Sequence, residues 1–362
     1  MRNIDKTKIK KIMILGSIGI GNLLLFSQTL KAVKKEFQNA HFTFIVLKES
    51  FKQLYEHSPD VDEIMIVEKK LYPGVRGKIK LIFELRKKKF DLSITTFPAN
   101  RFEYNLLPFL SGAKRRIAHK YNRKTLTSLS FLQNHRVPVD YTIHDLDQNL
   151  NLLKELNIDF TGERKLHIDI TQENQKEAEQ FLEKNGLKNK DIIVGFHPGS
   201  SVERGMIMKQ WEKEKYAELA HSIVSKYEAT VLVFGGNDEE ELKTYIEESA
   251  GKGVLKVSGI SLMDTAALIG NCSLFISNDS GLMHIAVGMD VKTIALFGPS
   301  DPLRTAPHGV KHIVIRTGIE CSPCWSIHNL GVGVVRCVHS KNLCMKEITV
   351  NRVFQDVEKA LS

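Results

Sequence analysis

The sequence predicts an α/β fold of two doubly wound domains, and two observations lead to that prediction. Apolar segments with strand character alternate with segments of helical periodicity, and the alternation occurs twice, on either side of a polar stretch at 157–165. Strands that alternate with helices form a parallel sheet covered on both faces. We therefore expect a first domain over 1–165 and a second over 166–345, facing a cleft at the carboxyl ends of their strands. A C-terminal helix within 346–362 can pack back on the first domain.

The elements of the first domain follow from periodicity. Short β-branched and apolar runs predict strands, and apolar residues three or four apart predict helices. Strands are expected at 9–15, 41–47, 63–67 and 90–96, and helices at 22–37, 76–88 and 146–156.

The second domain repeats this pattern after the linker. Each strand is bounded by glycine or polar residues, and each helix shows one apolar face. Strands are expected at 191–196, 230–234, 254–257 and 273–277, and helices at 172–185, 211–227, 238–249 and 262–269. The C-terminal helix is expected at 351–361.

Composition limits the class of protein. The chain has 362 residues, 42% hydrophobic and 26% charged, which is typical of a soluble protein with two cores. The basic segment 1–11 and apolar segment 12–26 imitate a signal peptide, but three glycines interrupt the apolar run and favour a buried strand with a glycine loop. We therefore expect a cytoplasmic protein whose cysteines are reduced.

The charge is strongly positive, with a net value of +9 and a pI of about 9.1. Such a charge favours nucleic acid, an anionic membrane surface or phosphorylated substrates as partners. The sequence contains no zinc-finger or RNA-recognition signature. Basic clusters lie at 86–89 and 114–116, and the first has the pattern of a solvated helix face.

A strand, a sharp turn and a helix are predicted around Ser277-Asn-Asp-Ser-Gly-Leu-Met-His. Asp279 is expected to be the helix N-cap, Gly281 allows close backbone approach, and His284 lies one helical turn beyond Ser280. The free N–H groups and positive dipole end of such a helix bind anions, so a diphosphate is the expected ligand. The alternative is an ordinary βαβ turn with an unrelated histidine.

Three further loops follow predicted strands. The first, 16–22, has the spacing Gly-x-x-Gly-x-Gly, which is not the dinucleotide-binding pattern. The second begins His197-Pro-Gly-Ser-Ser and leads to Lys209 and Trp211, where the lysine suits a phosphate or is a surface residue, and the tryptophan can be core. The third carries Glu239, which can bind a sugar hydroxyl or cap the next helix.

Together these segments resemble glycosyltransferase family 9, the heptosyltransferase family of lipopolysaccharide synthesis. The resemblance covers nearly the whole chain: His-Pro-Gly-Ser then Lys-x-Trp, Gly-Gly-x-x-Glu, and Asp-Ser-Gly-x-x-His then Phe-Gly-Pro-Ser-Asp-Pro. It implies a GT-B fold with two Rossmann-like domains, and metal-independent, inverting transfer of a heptose from a nucleotide sugar, ADP-heptose, to a lipopolysaccharide core or another surface glycan.

The resemblance also implies roles for individual residues. Lys209 and the helix start would stabilise the leaving phosphates while an acceptor hydroxyl attacks the anomeric carbon. The implied donor-binding residues are His197, Ser200, Ser201, Lys209, Glu239, Asp279, Ser280, Gly281 and His284. An anionic acceptor such as a phosphorylated lipid glycan would meet Gly21, Arg101, Lys114, Arg115 and Arg116.

The first loop departs from the family pattern. Heptosyltransferases of this family place an aspartate base where this chain has Asn22. A carboxamide cannot accept the acceptor's proton at neutral pH. Glu103 could serve instead, although an exposed helix glutamate is the simpler interpretation, or the chain is a non-catalytic relative that binds glycan or nucleotide.

Four of the five cysteines cluster near the C-terminus. Cys321, Cys324, Cys337 and Cys344 have the spacing C-x2-C-x12-C-x6-C, and Cys272 stands apart. In a reducing compartment this pattern fits a metal better than disulfides, and the resemblance includes relatives with a cysteine-ligated metal here. A structural zinc or iron is therefore one expectation, and reduced cysteines in a packed loop are the other.

Three alternatives remain open from the sequence. The chain could use another nucleotide sugar, it could bind a glycan or nucleotide without catalysing a reaction, or its positive charge could bind nucleic acid. The resemblance favours a transferase that needs no cofactor for catalysis, binds no nucleic acid, and makes at most peripheral contact with the inner face of the cytoplasmic membrane.

Overall fold

The computed structural model describes residues 5–122, 126–187, 191–200, 203–325, 337 and 342–362. The chain divides into two units, Met1–Asp169 and Ile170–Ser362. Within the described ranges, no helix has both the length and the apolar character that crossing a membrane requires. Ser201, one of the expected donor residues, lies outside the described residues.

The first unit contains a parallel sheet of six strands among its described residues. The order is β3-β2-β1-β4-β5-β6, so β1 lies in the centre with β2 and β4 on either side. The strands are β1 Lys11–Leu15, β2 His41–Val46, β3 Glu63–Ile66, β4 Leu92–Thr95, β5 Arg115–Lys120 and β6 His135–Pro138.

Helices cover this sheet, and their apolar faces decide how they pack. In α3, for example, Leu81 and Leu85 are buried and join the core cluster under the sheet. The helices are α1 Ile20–Leu24, α2 Ser27–Glu36, α3 Gly74–Lys88, α4 Phe102–Leu110 and α5 Asp145–Asn151.

Several elements of the first unit differ from the predicted ones, and the helix α4 was not predicted as an element. The helix expected at 22–37 is two helices, because Leu25 ends α1 and Phe26 begins α2 as its N-cap. Strands β5 and β6 were not predicted. Their residues are dominated by basic and histidine side chains, and only the middle of β5 and Val137 in β6 are well buried.

The second unit contains the same architecture. Its described strands form a six-stranded parallel sheet in the order β12-β11-β10-β7-β8-β9. The strands are β7 Ile193–His197, β8 Thr230–Val233, β9 Val254–Lys256, β10 Leu274–Asn278, β11 Thr293–Leu296 and β12 Ile313–Ile315. Both sheets therefore have the doubly wound order in which the chain reverses direction beside the first strand, between β1 and β4 and between β7 and β10.

The five helices predicted with bounds in the second unit lie within two residues of their predicted ends, and two short helices, Pro302–Thr305 and Leu343–Lys346, were not predicted. Thr171 begins α6 with a capping box, in which its hydroxyl accepts from the Asn174 N–H. The helices are α6 Gln172–Lys184, α7 Lys213–Tyr227, α8 Glu240–Ala250, α9 Leu262–Ile269, α10 Gly281–Gly288, α11 Pro302–Thr305, α12 Leu343–Lys346 and α13 Val350–Leu361.

The C-terminal helix packs within the second unit. Val350, Val353 and Val357 of α13 are buried in the core cluster that includes Trp211 and Tyr216. The indole N–H of Trp211 donates to the Ile348 carbonyl at 2.9 Å. Trp211 is therefore a core residue that fixes the approach to α13, which agrees with the simpler of its two interpretations.

Candidate active site

The carboxyl ends of β7 and β10 lie side by side in the second sheet. Ser277 is the register partner of His197, and the two strands then turn into the loops that begin at Pro198 and Asp279. Ligands of doubly wound sheets bind outside the carboxyl ends of the strands where the winding reverses. The sequence-predicted donor residues on these two loops therefore meet at the point where a ligand site is expected.

Helix α10 begins at this edge, and its cap differs from the predicted one. Ser280, not Asp279, is the N-cap, and its hydroxyl accepts from the Met283 N–H at 3.4 Å. Asp279 was predicted to cap because its carboxylate precedes the helix, but that carboxylate is bonded to a lysine instead. The correction leaves the start of α10 as an anion-binding end, since its first N–H groups lack intrahelical partners.

Asp279 forms a mostly buried ion pair with Lys209. Lys209 Nζ lies 2.6 Å from Asp279 Oδ2, and their side chains are only 16% and 6% exposed. Burial alone would raise the pKa of Asp279, but the neighbouring Lys209 ammonium outweighs that effect and holds the pKa below its ordinary value. Lys209 is therefore part of the site and is not a free surface lysine.

Two further groups surround this ion pair. The Lys209 ammonium lies 5.0 Å from the centre of the Trp325 ring, which is a cation–π contact. The Thr305 hydroxyl donates to Asp279 Oδ1 at 3.4 Å. Sequence analysis singled out neither residue. Thr305 does lie just beyond the Phe-Gly-Pro-Ser-Asp-Pro segment, which was the available signal.

His197 joins the α10 cap to Glu239. Its Nδ1 lies 2.8 Å from Ser280 Oγ, and its Nε2 lies 3.1 Å from Glu239 Oε2. Because a carboxylate only accepts, Nε2–H donates to Glu239, and Nδ1 shares a hydrogen bond with the Ser280 hydroxyl. Burial alone would raise the pKa of Glu239, but the hydrogen bond from His197, together with the Gly236 N–H and the nearby Lys243 ammonium, outweighs burial and lowers the pKa. The carboxylate is therefore ionised at neutral pH.

Gly199 is required by this arrangement. A Cβ atom built on Gly199 would lie 1.7 Å from Glu239 Oε1, far inside van der Waals contact. The Gly236 N–H also donates to Glu239 Oε2 at 2.9 Å. The two glycine loops thus allow the Glu239 carboxylate to lie against the backbone.

Asn278 connects the loops, and sequence analysis missed it. Its Oδ1 accepts from the backbone N–H of Trp211 at 3.1 Å and from the Tyr216 hydroxyl at 3.2 Å. Its Nδ2 donates to the Pro198 carbonyl at 2.7 Å. A polar residue at the end of a buried strand was the only signal in the sequence. The amide holds the His197 loop in place beside α10.

The other described donor residues lie close to this group. The Ser200 hydroxyl donates to the Met206 carbonyl at 2.8 Å, so it stabilises the loop that leads to Lys209. His284 is 4% exposed and near enough to Asp279 to affect its pKa electrostatically. Gly281 is the first residue of α10.

The four clustered cysteines line one small cavity. Burial, followed by the proximity of the other three thiols, raises the pKa of Cys344 to about 11, so that thiol is protonated at neutral pH. Metal binding requires thiolates in a defined arrangement. Within the described part of the chain, no three His, Cys, Asp or Glu side chains are arranged to hold a metal ion, so the expected structural zinc or iron is not supported.

In the first unit, Asn22 lies on α1 directly after the β1 loop. Its Nδ2 donates to the Ile18 carbonyl at 2.7 Å. The loop is held from the neighbouring β4 side, because the Ser17 N–H donates to Thr96 Oγ1 at 2.7 Å and the Ile18 N–H donates to Tyr104 at 3.1 Å. The buried Gly21 precedes Asn22 in α1. This edge is the reversal point of the first sheet.

Arg101 and Glu103 lie at the same edge, where β4 leads into α4. They form an ion pair with each other, and the Glu103 side chain is 45% exposed. Both follow the carboxyl end of β4, so the structure brings them to the side of the sheet that carries Asn22.

The remaining predicted acceptor residues lie at the opposite edge. Lys114, Arg115 and Arg116 are at the start of β5, and parallel strands place all their starts at the edge away from Asn22. Lys114 pairs with Asp91 at 2.8 Å. Arg116 donates to the Leu132 and Ala113 carbonyls. The structure does not bring these three residues together with the β1 loop.

Comparison with known proteins agrees with this architecture. The family model described as glycosyltransferase family 9 (heptosyltransferase) matches residues 78–331. The chain is 26% identical to a lipooligosaccharide heptosyltransferase 2 of Campylobacter jejuni, over 96% of this chain and 98% of that protein.

Solved structures show the same fold. A glycosyltransferase family 9 protein of Veillonella parvula has a TM-score of 0.81 at 25% identity, over 99% of this chain and 98% of that one. The ADP-heptose lipopolysaccharide heptosyltransferase II of Escherichia coli has a TM-score of 0.73 at 21% identity, over 97% and 98%. The predicted α/β fold of the GT-B class is confirmed.

Proposed function

Since the chain belongs to glycosyltransferase family 9, the heptosyltransferase family, and is therefore a glycosyltransferase, we propose that it transfers a heptose from ADP-heptose to a lipopolysaccharide core. At the level of the family it is a lipopolysaccharide-core heptosyltransferase. The donor, inversion at the anomeric carbon, independence of metal ions and the residue roles below are our proposals. The observation that carries them is the Lys209–Asp279 pair beside the start of α10.

The leaving diphosphate binds at the start of α10. Negative charge accumulates on that group as the glycosidic bond to it breaks, and fixed positive groups lower the barrier. An ammonium has three N–H donors, so Lys209 can bind a phosphate oxygen while one N–H remains on Asp279. The first N–H groups of α10 supply the remaining donors. This cationic environment supports a reaction that needs no metal ion.

Glu239 binds a hydroxyl of the donor. Both of the hydrogen bonds described above, from His197 and from the Gly236 N–H, go to Oε2, so Oε1 can accept from the sugar or ribose. His197 and Ser280 fix the direction of the carboxylate by linking it to the α10 cap. His197, Ser200, Gly281 and His284 thus shape the donor pocket, and Lys209 and Glu239 bind the donor directly.

The acceptor binds at the β1–α1 edge of the first unit. Asn22 cannot remove the acceptor proton, but its Oδ1 can orient the attacking hydroxyl. Arg101 binds an acidic group of the acceptor, and exchange of that group for Glu103 releases the carboxylate to act as the general base. Gly21, next to Asn22 in α1, is assigned to the same acceptor site.

The proposed location is the cytoplasm, at the inner face of the cytoplasmic membrane, where a nucleotide sugar and a lipid-linked acceptor would both be available. Nucleic acid is not a proposed partner. The basic charge is assigned to the anionic acceptor and the surface that carries it.

The deciding experiment compares melting temperatures with ADP, UDP, GDP and ADP-heptose. Ligand that binds only the folded protein raises the melting temperature. Selective stabilisation by ADP and ADP-heptose is expected, and selective stabilisation by UDP or GDP would require another sugar nucleotide. Absence of any shift would favour a non-catalytic relative.

A transfer assay completes the test. With ADP-heptose and deep-truncated lipopolysaccharide as acceptor, released ADP and a product heavier by one heptose are expected. Undiminished turnover in excess EDTA supports metal independence, and proton NMR of the product gives the anomeric configuration.

A further inference from the structure

Helix α3 carries an exposed apolar stripe on its outer face. Leu71 before the helix and Val75, Ile79 and Phe83 within it are 47%, 73%, 47% and 63% exposed. The three helical residues are four positions apart and therefore form one line along the helix. Leu81 and Leu85 on the opposite side are buried against the sheet. The stripe is thus not part of the core of its own unit.

The stripe lies in the most basic segment of the chain. Residues 69–89 contain nine Lys or Arg and one acid, Glu84, which gives a net charge of 9 − 1 = +8, against +9 for the whole protein. Basic residues flank the stripe on both sides of the helix. At about 100° of rotation per residue, one side carries Arg76, Lys80 and Lys87, and the other side carries Lys78. The rest of the protein is therefore nearly neutral.

Most of these nine cations have no ion pair among the described residues. Within the described residues, Lys88 pairs with Glu63, Lys70 with Glu68 and Lys80 with Glu84. The described ion pairs include none for five others, Lys69, Arg76, Lys78, Lys87 and Lys89. These five cations are therefore available to an anionic surface, to which each basic residue near it adds attraction.

We propose that the outer face of α3 docks on an anionic phospholipid bilayer. An apolar line of Val, Ile and Phe flanked by Lys and Arg inserts at the boundary of head groups and acyl chains while the cations contact lipid phosphates. A nucleic acid would use the charges but not the apolar line. A protein partner would need an acidic apolar groove, whereas a bilayer supplies both features along its whole surface.

The position of α3 relates this surface to the acceptor edge. In a β-α-β unit the helix starts at the carboxyl edge of the sheet, so Leu71 and Val75 lie toward the edge that carries Asn22 and Arg101. Docking would hold that edge near the membrane. This inference rests on the proposed function for the identity of the acceptor, but the docking itself does not.

The test is co-sedimentation of the full chain with phosphatidylcholine vesicles, with and without phosphatidylglycerol. Wild type is expected to bind only the anionic vesicles, and added salt should weaken binding. The apolar variant Ile79→Ser/Phe83→Ser and the charge variant Arg76→Gln/Lys78→Gln/Lys87→Gln should each weaken binding at least tenfold. The matched controls, Val310→Ser and Lys35→Gln/Lys184→Gln/Lys252→Gln, alter exposed residues elsewhere and should bind like wild type.

Four results would overturn the proposal. Equal binding to neutral vesicles, or equal loss in the lysine control, would remove the role of this surface. If the apolar variant still binds anionic vesicles, and the protein binds heparin as tightly as it binds those vesicles, α3 would be a general polyanion site. A dimer in sedimentation velocity that the apolar variant abolishes would identify a second copy as the occupant. ADP-induced stabilisation, measured on the same variants, should be unchanged and reports separately on the donor site.

Discussion

Lys209 Nζ and Asp279 Oδ2 lie 2.6 Å apart, although 70 positions separate the two residues in the sequence. The pair joins the loop after β7 to the turn between β10 and α10. A buried ion pair of this kind adds little net stability, because its attraction is offset by the loss of hydration. Its value here is that it fixes a cation beside the α10 start, where a diphosphate would bind.

Neutralising either member of this pair should reduce transfer and stability together. Lys209→Gln leaves a buried carboxylate without its cation, which typically costs about 3–5 kcal/mol, and also removes a phosphate ligand. We expect kcat to fall roughly 10²–10³-fold. Steady-state kinetics and urea unfolding check this, with the exposed Lys184→Gln as the control. Wild-type kinetics in both Lys209→Gln and Asp279→Asn would exclude the donor-site assignment.

Gly199→Ala should displace the Glu239 carboxylate. The new Cβ would lie 1.7 Å from Oε1, so the carboxylate must leave His197, and ADP binding should weaken by about tenfold or more, as loss of one charged hydrogen bond suggests. Calorimetric titration of ADP measures the effect.

A double-mutant cycle supplies the control for this clash. Glu239→Ala removes the atoms that the new methyl group meets, so Gly199→Ala should add little further loss in that background. Fully additive losses would show that Gly199 acts independently of Glu239.

The fold could be predicted from the sequence because most elements have strong periodicity. Helix α9 has its predicted bounds, and α6 differs by one residue. Strands β5 and β6 could not be predicted, since their basic side chains are typical of solvated loops; only the pairing of β5 with β4, and of β6 with β5, makes them strands. Strand propensity is decided by such tertiary contacts.

The candidate site was predictable wherever a loop of special composition follows a strand. His197, Lys209, Glu239 and Ser280 meet for this reason. Asn278 and Thr305 were missed because their roles depend on partners far away in the sequence. The prediction that Asp279 is the N-cap of α10 was wrong for a similar reason. Capping is predicted from neighbours in the sequence, whereas the carboxylate pairs with Lys209, which is distant in the sequence.

Acidification should destabilise the first unit through His119. Burial lowers its pKa to about 4, and its Nε2–H donates to the Gln148 carbonyl at 3.0 Å. The unfolded chain titrates near 6.5, so it binds more protons than the folded state between the two values, and stability falls as the pH decreases through that interval. The loss should total roughly 3 kcal/mol.

Urea unfolding between pH 7 and pH 4 measures this slope. In His119→Gln, which retains an N–H donor, the slope should be smaller, whereas the exposed His57→Gln should unfold like wild type. An unchanged pH dependence in His119→Gln would contradict the assignment.

Asn22→Asp distinguishes a role in the chemical step from a role in donor binding. The substitution replaces the Nδ2 donor to the Ile18 carbonyl with an acceptor, so the α1 start should lose about 1 kcal/mol. It also introduces the carboxylate that the resemblance implies at this position. If the acceptor hydroxyl lies against residue 22, kcat should change at least tenfold while the dissociation constant of ADP changes less than twofold. A change confined to ADP affinity would remove Asn22 from the acceptor side.

Glu103→Gln, made in the wild-type and in the Asn22→Asp backgrounds, identifies the general base. A strong loss of kcat in the wild-type background with little loss in the Asn22→Asp background would show that Glu103 accepts the proton in the wild-type enzyme. Equal small effects in both backgrounds would place the base elsewhere.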